Sequence, residues 1–383
     1  MIQQFPGLPN SEHLDVLALS RLFSDKTNSY KYLFFLALLN ILSRGFFNPS
    51  NPIKLSDLVV EMLVIAWYPH SAFGLSFGSQ DKITDKLDDL NLEIQKPLLE
   101  VTKGDMKYLR EQILNRGIDE KLIRGLIKYL TRYVPFLLIR PFFAETKGMK
   151  KDNEIKNKII SLAEEVFNTR KPLYKFTLDQ NSIEIHPEWL NYIKTHYKIL
   201  YGWASWGFLE YMQAKNPSMP GIVNKIFPPE ESRKAMPEQT RFWKTIITHS
   251  SERITCIYSG AEVDTNNLSL DHFLPWKFVA HNQLWNLIPI PKNVNSSKFD
   301  RIPAELYLEE LAKVQHTGLV IARKYFEKKS WNRCIESYIV DFQFSEDELL
   351  NFDIFLHKYV SQIKPRMSLA ISYGFEGDWI YQR

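Results

Sequence analysis

The sequence predicts a mainly α protein with a small α+β insert in its second half. Three observations lead there. Apolar residues recur at helical spacing, or on all sides, across most of 28–215 and again beyond residue 304. Between residues 255 and 290, short apolar runs alternate with turn residues, which is strand-like. Separating the two, residues 216–237 hold five prolines, a glycine and mixed charges. With 383 residues, 45% of them hydrophobic, there is material for two or three compact units with sizeable cores. The expected layout is a helical N-terminal domain at 1–215, a linker at 216–237, a compact core at 238–310 and a helical C-terminal region at 311–383 packing on that core.

Each element has its own signal. Asn28-Ser29 can cap a helix running to about Arg44, apolar nearly all round and therefore buried. Ser56-Asp57 opens a second helix that stops before Tyr68-Pro69. From Asp105 to Tyr133 the pattern is helical, with Lys121, Arg124, Lys128 and Arg132 on one face, read as an ordinary solvated stripe rather than a phosphate track. Tyr174–Leu178 and Ser182–Ile185 flank Asp179-Gln180-Asn181 as a hairpin. Pro187 fits the first turn of the helix that follows, whose many tyrosines and tryptophans suit core packing better than base stacking. A short helix is expected over Glu238–Thr248, strands over Thr255–Gly260 and Leu268–His272, a further apolar element over Trp285–Ile290, a helix start near Asn293–Phe299, and one or two helices over Ala304–Tyr325.

Composition sets limits on function. The formal charge of +4 permits a polyanionic partner without demanding one. Cys256 and Cys334 are the only cysteines, so neither a disulfide framework nor a four-cysteine zinc site can form. The apolar run from Tyr32 to Leu42 is too short to span a bilayer, and Glu61 interrupts the next candidate. No basic segment followed by an apolar core marks the N-terminus as a signal peptide. The expectation is a soluble cytoplasmic protein without membrane association.

The chemistry concentrates in Leu270-Asp271-His272-Phe273-Leu274-Pro275. An acid and a base stand side by side at the end of an expected strand. Asn286 follows His272 by fourteen residues, Asn295 comes nine later, and Lys298 and Asp300 close the series. An acid, a base, two amides and a lysine can together hold one hard cation and activate one water beside a phosphodiester. Taken singly, each has a plain structural reading: an ordinary histidine, a turn asparagine, a helix-cap asparagine, a solvated lysine. The conjunction at these intervals is what is specific. His281 is a second histidine nearby, but it lacks a neighbouring acid and reads as scaffold or substrate contact.

On these residues, the segment from about 255 to 303 resembles the ββα-metal core of HNH endonucleases, with spacing similar to that of the HNH domain of RNA-guided CRISPR effector nucleases. The remainder of the chain carries no resemblance of this kind. The resemblance implies a metal-dependent phosphodiester hydrolase acting on DNA, leaving a 5′-phosphate and a 3′-hydroxyl. RNA stays open as substrate, as does a catalytically silent nucleic-acid- or partner-binding protein built on the same core. His272 would be the general base, being largely neutral near pH 7. Asp271 and Asn295 would hold Mg²⁺ or Mn²⁺ through a charged and a neutral oxygen. Asn286 would brace the loop that carries His272, and Lys298 would neutralise a phosphate. Many HNH domains bind structural zinc through two CxxC pairs. Here the positions are Cys256 with Ser259, and Pro291 with Val294, so no structural zinc is expected. Lys292 and Arg301 beside the motif are candidate nucleic-acid contacts, as are Arg323, Lys324, Lys328 and Lys329 in the most basic window of the chain. The N-terminal region is expected to recognise substrate, dock a regulatory protein or second copy, or restrain the nuclease. By analogy of layout alone, the setting is bacterial anti-phage defence or a mobile element.

Overall fold

A computed structural model describes residues 7–24, 27–48, 52–97, 100–115, 125, 127–230 and 236–382. The chain divides into two compact units, Met1–Ser232 and Arg233–Arg383. Both are mainly helical, with two small antiparallel sheets among the described residues.

The first unit is built on α1 (Tyr30–Arg44), which packs against α2 (Leu55–Trp67). From Tyr32 to Leu39 every side chain of α1 is buried. Burying a leucine or phenylalanine contributes about 1.5–3 kcal/mol, so this helix carries much of the unit's stability. Ser29 precedes it as expected, but its side chain makes no cap. Its hydroxyl donates to Asp81 Oδ2 at 2.6 Å, tying the helix start to a distant loop. The helix α3 (Met106–Asn115) lies against α2, and α4 (Asp152–Glu165) packs on the hairpin formed by β2 (Tyr174–Phe176) and β3 (Ser182–Ile185). The two-residue β1 (Ile53–Lys54) adds to the other edge of β3 through Ile53 and Ile183. It is too short to leave a periodic signal in the sequence. Pro187 opens the long helix α5 (Pro187–Lys215), after His186, whose ring accepts from the Glu188 amide at 3.2 Å. Helix α5 approaches α1 where Gly207 leaves room: a Cβ there would lie 2.8 Å from the Tyr32 ring.

The aromatic zone of α5 is largely core, with Trp189, Tyr192, Phe208 and Tyr211 buried, although Trp206 is exposed. Of the Pro-rich stretch 216–237, the part up to Glu230 belongs to the first unit. Asn216 is buried there, and its amide exchanges hydrogen bonds with the backbone of Ser76 at 2.9 and 2.8 Å. Of the basic stripe, Lys128 and Arg132 are exposed, while Lys121 and Arg124 lie outside the described residues.

The second unit opens with α6 (Pro237–His249). The strand expected over Thr255–Gly260 does not form. Thr255 makes one bridge to Glu262, and the chain then turns, with Gly260 at φ +69° donating back to the Cys256 carbonyl. The Ser-Gly step outweighs the local strand propensity of Cys256, Ile257 and Tyr258. The sheet is instead β4 (Leu268–His272) against β5 (Leu287–Pro291), antiparallel, followed directly by α7 (Lys292–Lys298). Strand, strand and helix thus follow in ββα order.

Three long helices surround this core: α8 (Leu308–Tyr325), α9 (Lys328–Phe342) and α10 (Phe352–Ser372). They fasten the start of β5 through polar contacts. Gln315 of α8 donates to the Leu287 carbonyl at 2.9 Å and accepts from the Tyr338 hydroxyl at 2.6 Å. Trp243 of α6 donates to the same carbonyl at 3.2 Å, and Tyr359 of α10 donates to the Trp285 carbonyl. Buried carbonyls left unpaired would each cost about 1–3 kcal/mol, so these bonds fix the start of β5 to the surrounding helices.

Candidate active site

Strand alternation sends neighbouring side chains to opposite faces, and β4 uses this to separate its acid from its base. Ser269 and Asp271 face α7; His272 turns toward the loop between the strands. Asp271 is 3% exposed. Its Oδ1 accepts from Lys298 Nζ at 3.1 Å and its Oδ2 from the Tyr258 hydroxyl at 2.8 Å. Lys298 is fully buried, and Nζ also donates to the His272 carbonyl at 2.7 Å. Rather than reaching out to a phosphate, Lys298 is an internal cation. A buried ammonium needs a carboxylate and hydrogen bonds, and both are supplied here. Burial and the adjacent Asp271 push the Tyr258 phenol well above its ordinary range, so it remains a donor.

His272 keeps 9% of its surface exposed. Its Nε2 lies 2.9 Å from Asn282 Oδ1. An amide oxygen can only accept, so Nε2 carries the hydrogen and Nδ1 keeps a lone pair. Burial pushes the imidazole down to about 4. The charges of Lys298 and His281 act in the same direction; Asn282 and Asp271 oppose them. At neutral pH the ring is therefore uncharged and able to accept a proton.

Asn286 is fully buried and works as a clamp. Its Oδ1 accepts from the Leu274 amide and its Nδ2 donates to the Leu274 carbonyl, both at 2.8 Å. The Asn286 carbonyl also accepts from the Phe273 amide at 2.9 Å. The turn that leaves β4 after His272 is thus fixed on both sides of the chain. Asn295 sits within α7 rather than capping it. Its Nδ2 donates to Ser269 Oγ at 2.8 Å and to the Leu270 carbonyl at 3.2 Å, and its amide oxygen takes no hydrogen bond among the described residues. Burial raises the Asp300 carboxyl, against the pull of Lys277 and Lys298.

Asp271, His272, Asn286, Asn295 and Lys298 are thus brought together by one ββα element. The expected nucleic-acid contacts are more scattered. Lys292 is exposed on the first turn of α7. Arg301 is turned inward: it donates to the Ser297 and Lys298 carbonyls and lies 5.5 Å from the Trp379 ring, capping the C-terminal end of α7. Those carbonyls have no helical partner, which draws the guanidinium to them. Arg323 is exposed but paired with Glu346 at 3.2 Å; Lys324 lies over Tyr325, and Lys328 and Lys329 are exposed at the start of α9. None of these four bonds to the five core residues. Two contributors escaped the sequence reading. Asn282 lies in a polar loop and Tyr258 in the segment expected as a strand; only the folded loop brings them to His272 and Asp271.

The donor set can be tested against a metal. No group of three His, Cys, Asp or Glu side chains able to hold an ion occurs among the described residues. The Asp271 carboxylate and the free Asn295 amide oxygen are hard oxygen donors, as Mg²⁺ or Mn²⁺ prefers, and few enough to leave such an ion most of its waters. The residues fit a hydrated hard cation, which must share Asp271 with the Lys298 ammonium.

No helix among the described residues is long and apolar enough to cross a membrane. No curated protein and no solved structure matches the chain. Residues 256–304 match the family model described as HNH endonuclease, and they span β4, β5 and α7. Such a domain implies nuclease chemistry on a nucleic acid, generally with a divalent metal. Residues 256–304 therefore belong to the HNH endonuclease family.

Proposed function

We propose that the second unit is a metal-dependent HNH endonuclease that hydrolyses phosphodiester bonds in DNA, using His272 as general base and one Mg²⁺ or Mn²⁺ ion. The observation that carries this reading is the held, neutral imidazole of His272, next in the chain to Asp271, within the segment that matches the family. His272 Nδ1 takes the proton of a water whose oxygen attacks phosphorus. The bond to the 3′-oxygen breaks, and that oxygen leaves with a proton from solvent. Asn282 keeps Nε2 protonated throughout, and Asn286 holds the turn on which His272 stands. Asp271 and Asn295 would hold the ion, which supplies charge to stabilise the crowded phosphate and the departing oxygen. Lys298 balances the Asp271 charge from within. Lys292 and the basic start of α9 are the groups available to a phosphate backbone.

The test is incubation of the purified chain with supercoiled plasmid in Mg²⁺ or Mn²⁺, beside EDTA and His272→Ala controls, with single-stranded RNA in parallel. Nicking or linearisation lost in both controls is expected, and general-base loss should cost about 10²–10⁴-fold. Cutting that survives His272→Ala defeats the assignment; cleavage of RNA alone changes the substrate. Within the second unit, we assign cutting to residues 238–310 and support of the core to 311–383. To the first unit we assign substrate recognition, or docking of a regulatory partner or second copy. The cellular role proposed is cytoplasmic anti-phage defence or service to a mobile element. It predicts that expression protects bacteria in a phage plating assay, and that His272→Ala does not.

A further inference from the structure

The first unit contains a cavity of about 670 Å³ that the nuclease reading does not use. At its floor is Glu61, 1% exposed in the middle of α2. Glu61 Oε1 accepts from Asn40 Nδ2 at 2.8 Å and from Arg110 Nη2 at 3.3 Å; Oε2 accepts from Arg110 Nε at 2.6 Å and Arg44 Nη2 at 2.9 Å. One carboxylate thus orients two guanidinium groups. At the rim, Glu230 pairs with Lys103 at 2.8 Å and Glu111 with Lys107 at 3.8 Å. These pairs cancel, leaving one positive charge over at the floor. Arg44 has no second partner among the described residues and is 45% exposed, so most of its donors are open to a ligand on that side.

Aromatic rings stand in the same cavity. Tyr197 and Tyr201 are 5.7 Å apart and tilted by 37°, with Phe227 6.3 Å from Tyr201. Val64, Ile65, Met106 and Leu114 supply apolar wall. A concave site of this size, mostly apolar and with a few convergent charged groups, suits a small molecule. Preset guanidinium groups match the tetrahedral oxygens of a phosphate, and the faces of the tilted tyrosine rings offer a planar base a surface to pack on.

We propose that this cavity binds a nucleoside 5′-monophosphate group, its phosphate on Arg44 and Arg110 and its base against Tyr197 and Tyr201. The group can come from a free nucleotide or from the 5′-phosphorylated end of a strand. The test is isothermal titration calorimetry on the full chain, without divalent metal, using adenosine 5′-monophosphate, inorganic phosphate, adenosine, and short oligonucleotides with and without a 5′-phosphate. The monophosphate should bind at least about tenfold tighter than phosphate or adenosine alone. Arg44→Gln leaves Glu61 with Arg110 and Asn40, so it should fold, as circular dichroism would check, and lose about tenfold in affinity. Tyr201→Leu should remove the preference over inorganic phosphate. Tighter binding of the 5′-phosphorylated strand than of the monophosphate assigns the site to strand ends; the reverse assigns it to free nucleotide. No binding of any probe at millimolar concentration, or equal binding by the folded Arg44→Gln chain, overturns the proposal. His272→Ala should leave the titration unchanged, which keeps this result separate from the nuclease test.

Discussion

Two buried carboxylates, Glu61 in the first unit and Asp271 in the second, are held in opposite ways. Glu61 is gripped by two arginines and an asparagine, so that both oxygens receive two bonds. Burial alone would raise its acid range; the bonds and charges of Arg110 and Arg44 overcome that and hold it low. Asp271 receives one ammonium and one phenol, a single bond on each oxygen. Each of its oxygens keeps a lone pair for another cation. A guanidinium fork saturates a carboxylate, whereas a point charge shares it. That difference separates a carboxylate that organises its neighbours from one that can also take a metal.

The largest effect should come from removing the cation on each side. Arg110→Ala leaves Glu61 short of its main partner and should destabilise by about 3–5 kcal/mol in denaturant unfolding, with or without metal. Lys298→Met should cost a similar amount in EDTA, about 3–5 kcal/mol, but recover part of it in Mg²⁺ or Mn²⁺, because a divalent ion can replace the ammonium on Asp271. Equal losses of the Lys298→Met chain with and without metal would remove the contrast.

Acid should separate the units next. Below pH 6.5 the unfolded chain binds a proton that folded His272 refuses until about pH 4. Stability should therefore fall with pH across that window, by up to about 3 kcal/mol, and level off beneath it. The Glu61 carboxyl sits below its ordinary 4.5, so its contribution is intact above that value and goes only as pH drops through the folded one. Hydrogen exchange in EDTA at pH 5 should show the second unit loosening while α1 and α2 stay protected. Loosening of both together would show that Glu61, not His272, sets the acid limit.

A smaller effect is expected from Asn282→Leu. Without its acceptor, His272 can place the proton on either nitrogen, and kcat should fall about 10–10²-fold with KM nearly unchanged. A matching rise in KM would mean that Asn282 touches substrate instead. Tyr258→Phe should be the mildest, about 1 kcal/mol of stability, since Lys298 still holds Asp271; thermal unfolding measures it.

The five core positions were legible in sequence because a ββα element fixes the path between strand, turn and helix, so spacing stands in for geometry. What failed was local. Residues 255–260 have strand-forming side chains, yet Ser259-Gly260 makes a turn, and the second strand is Leu287–Pro291. Asn282 and Tyr258 could not be found, since a loop asparagine and a buried tyrosine carry no mark of what they will touch. The Glu61 cluster was half visible. A glutamate in the apolar run 58–67 was plain, but Arg110, 49 residues on, meets it only through the packing of α3 on α2.

The ammonium that Lys298 places on Asp271 is tethered to the chain and cannot be washed away. A core built so would not stand empty when divalent ions are scarce: Asp271 rests on its own counter-charge. If the proposed metal-dependent cutting takes place here, loading would be an exchange of one cation for another, and the free ion level at which cutting begins should depend on how firmly Lys298 is seated. Any change in the chain that shifts α7 would move that threshold without touching a reacting group.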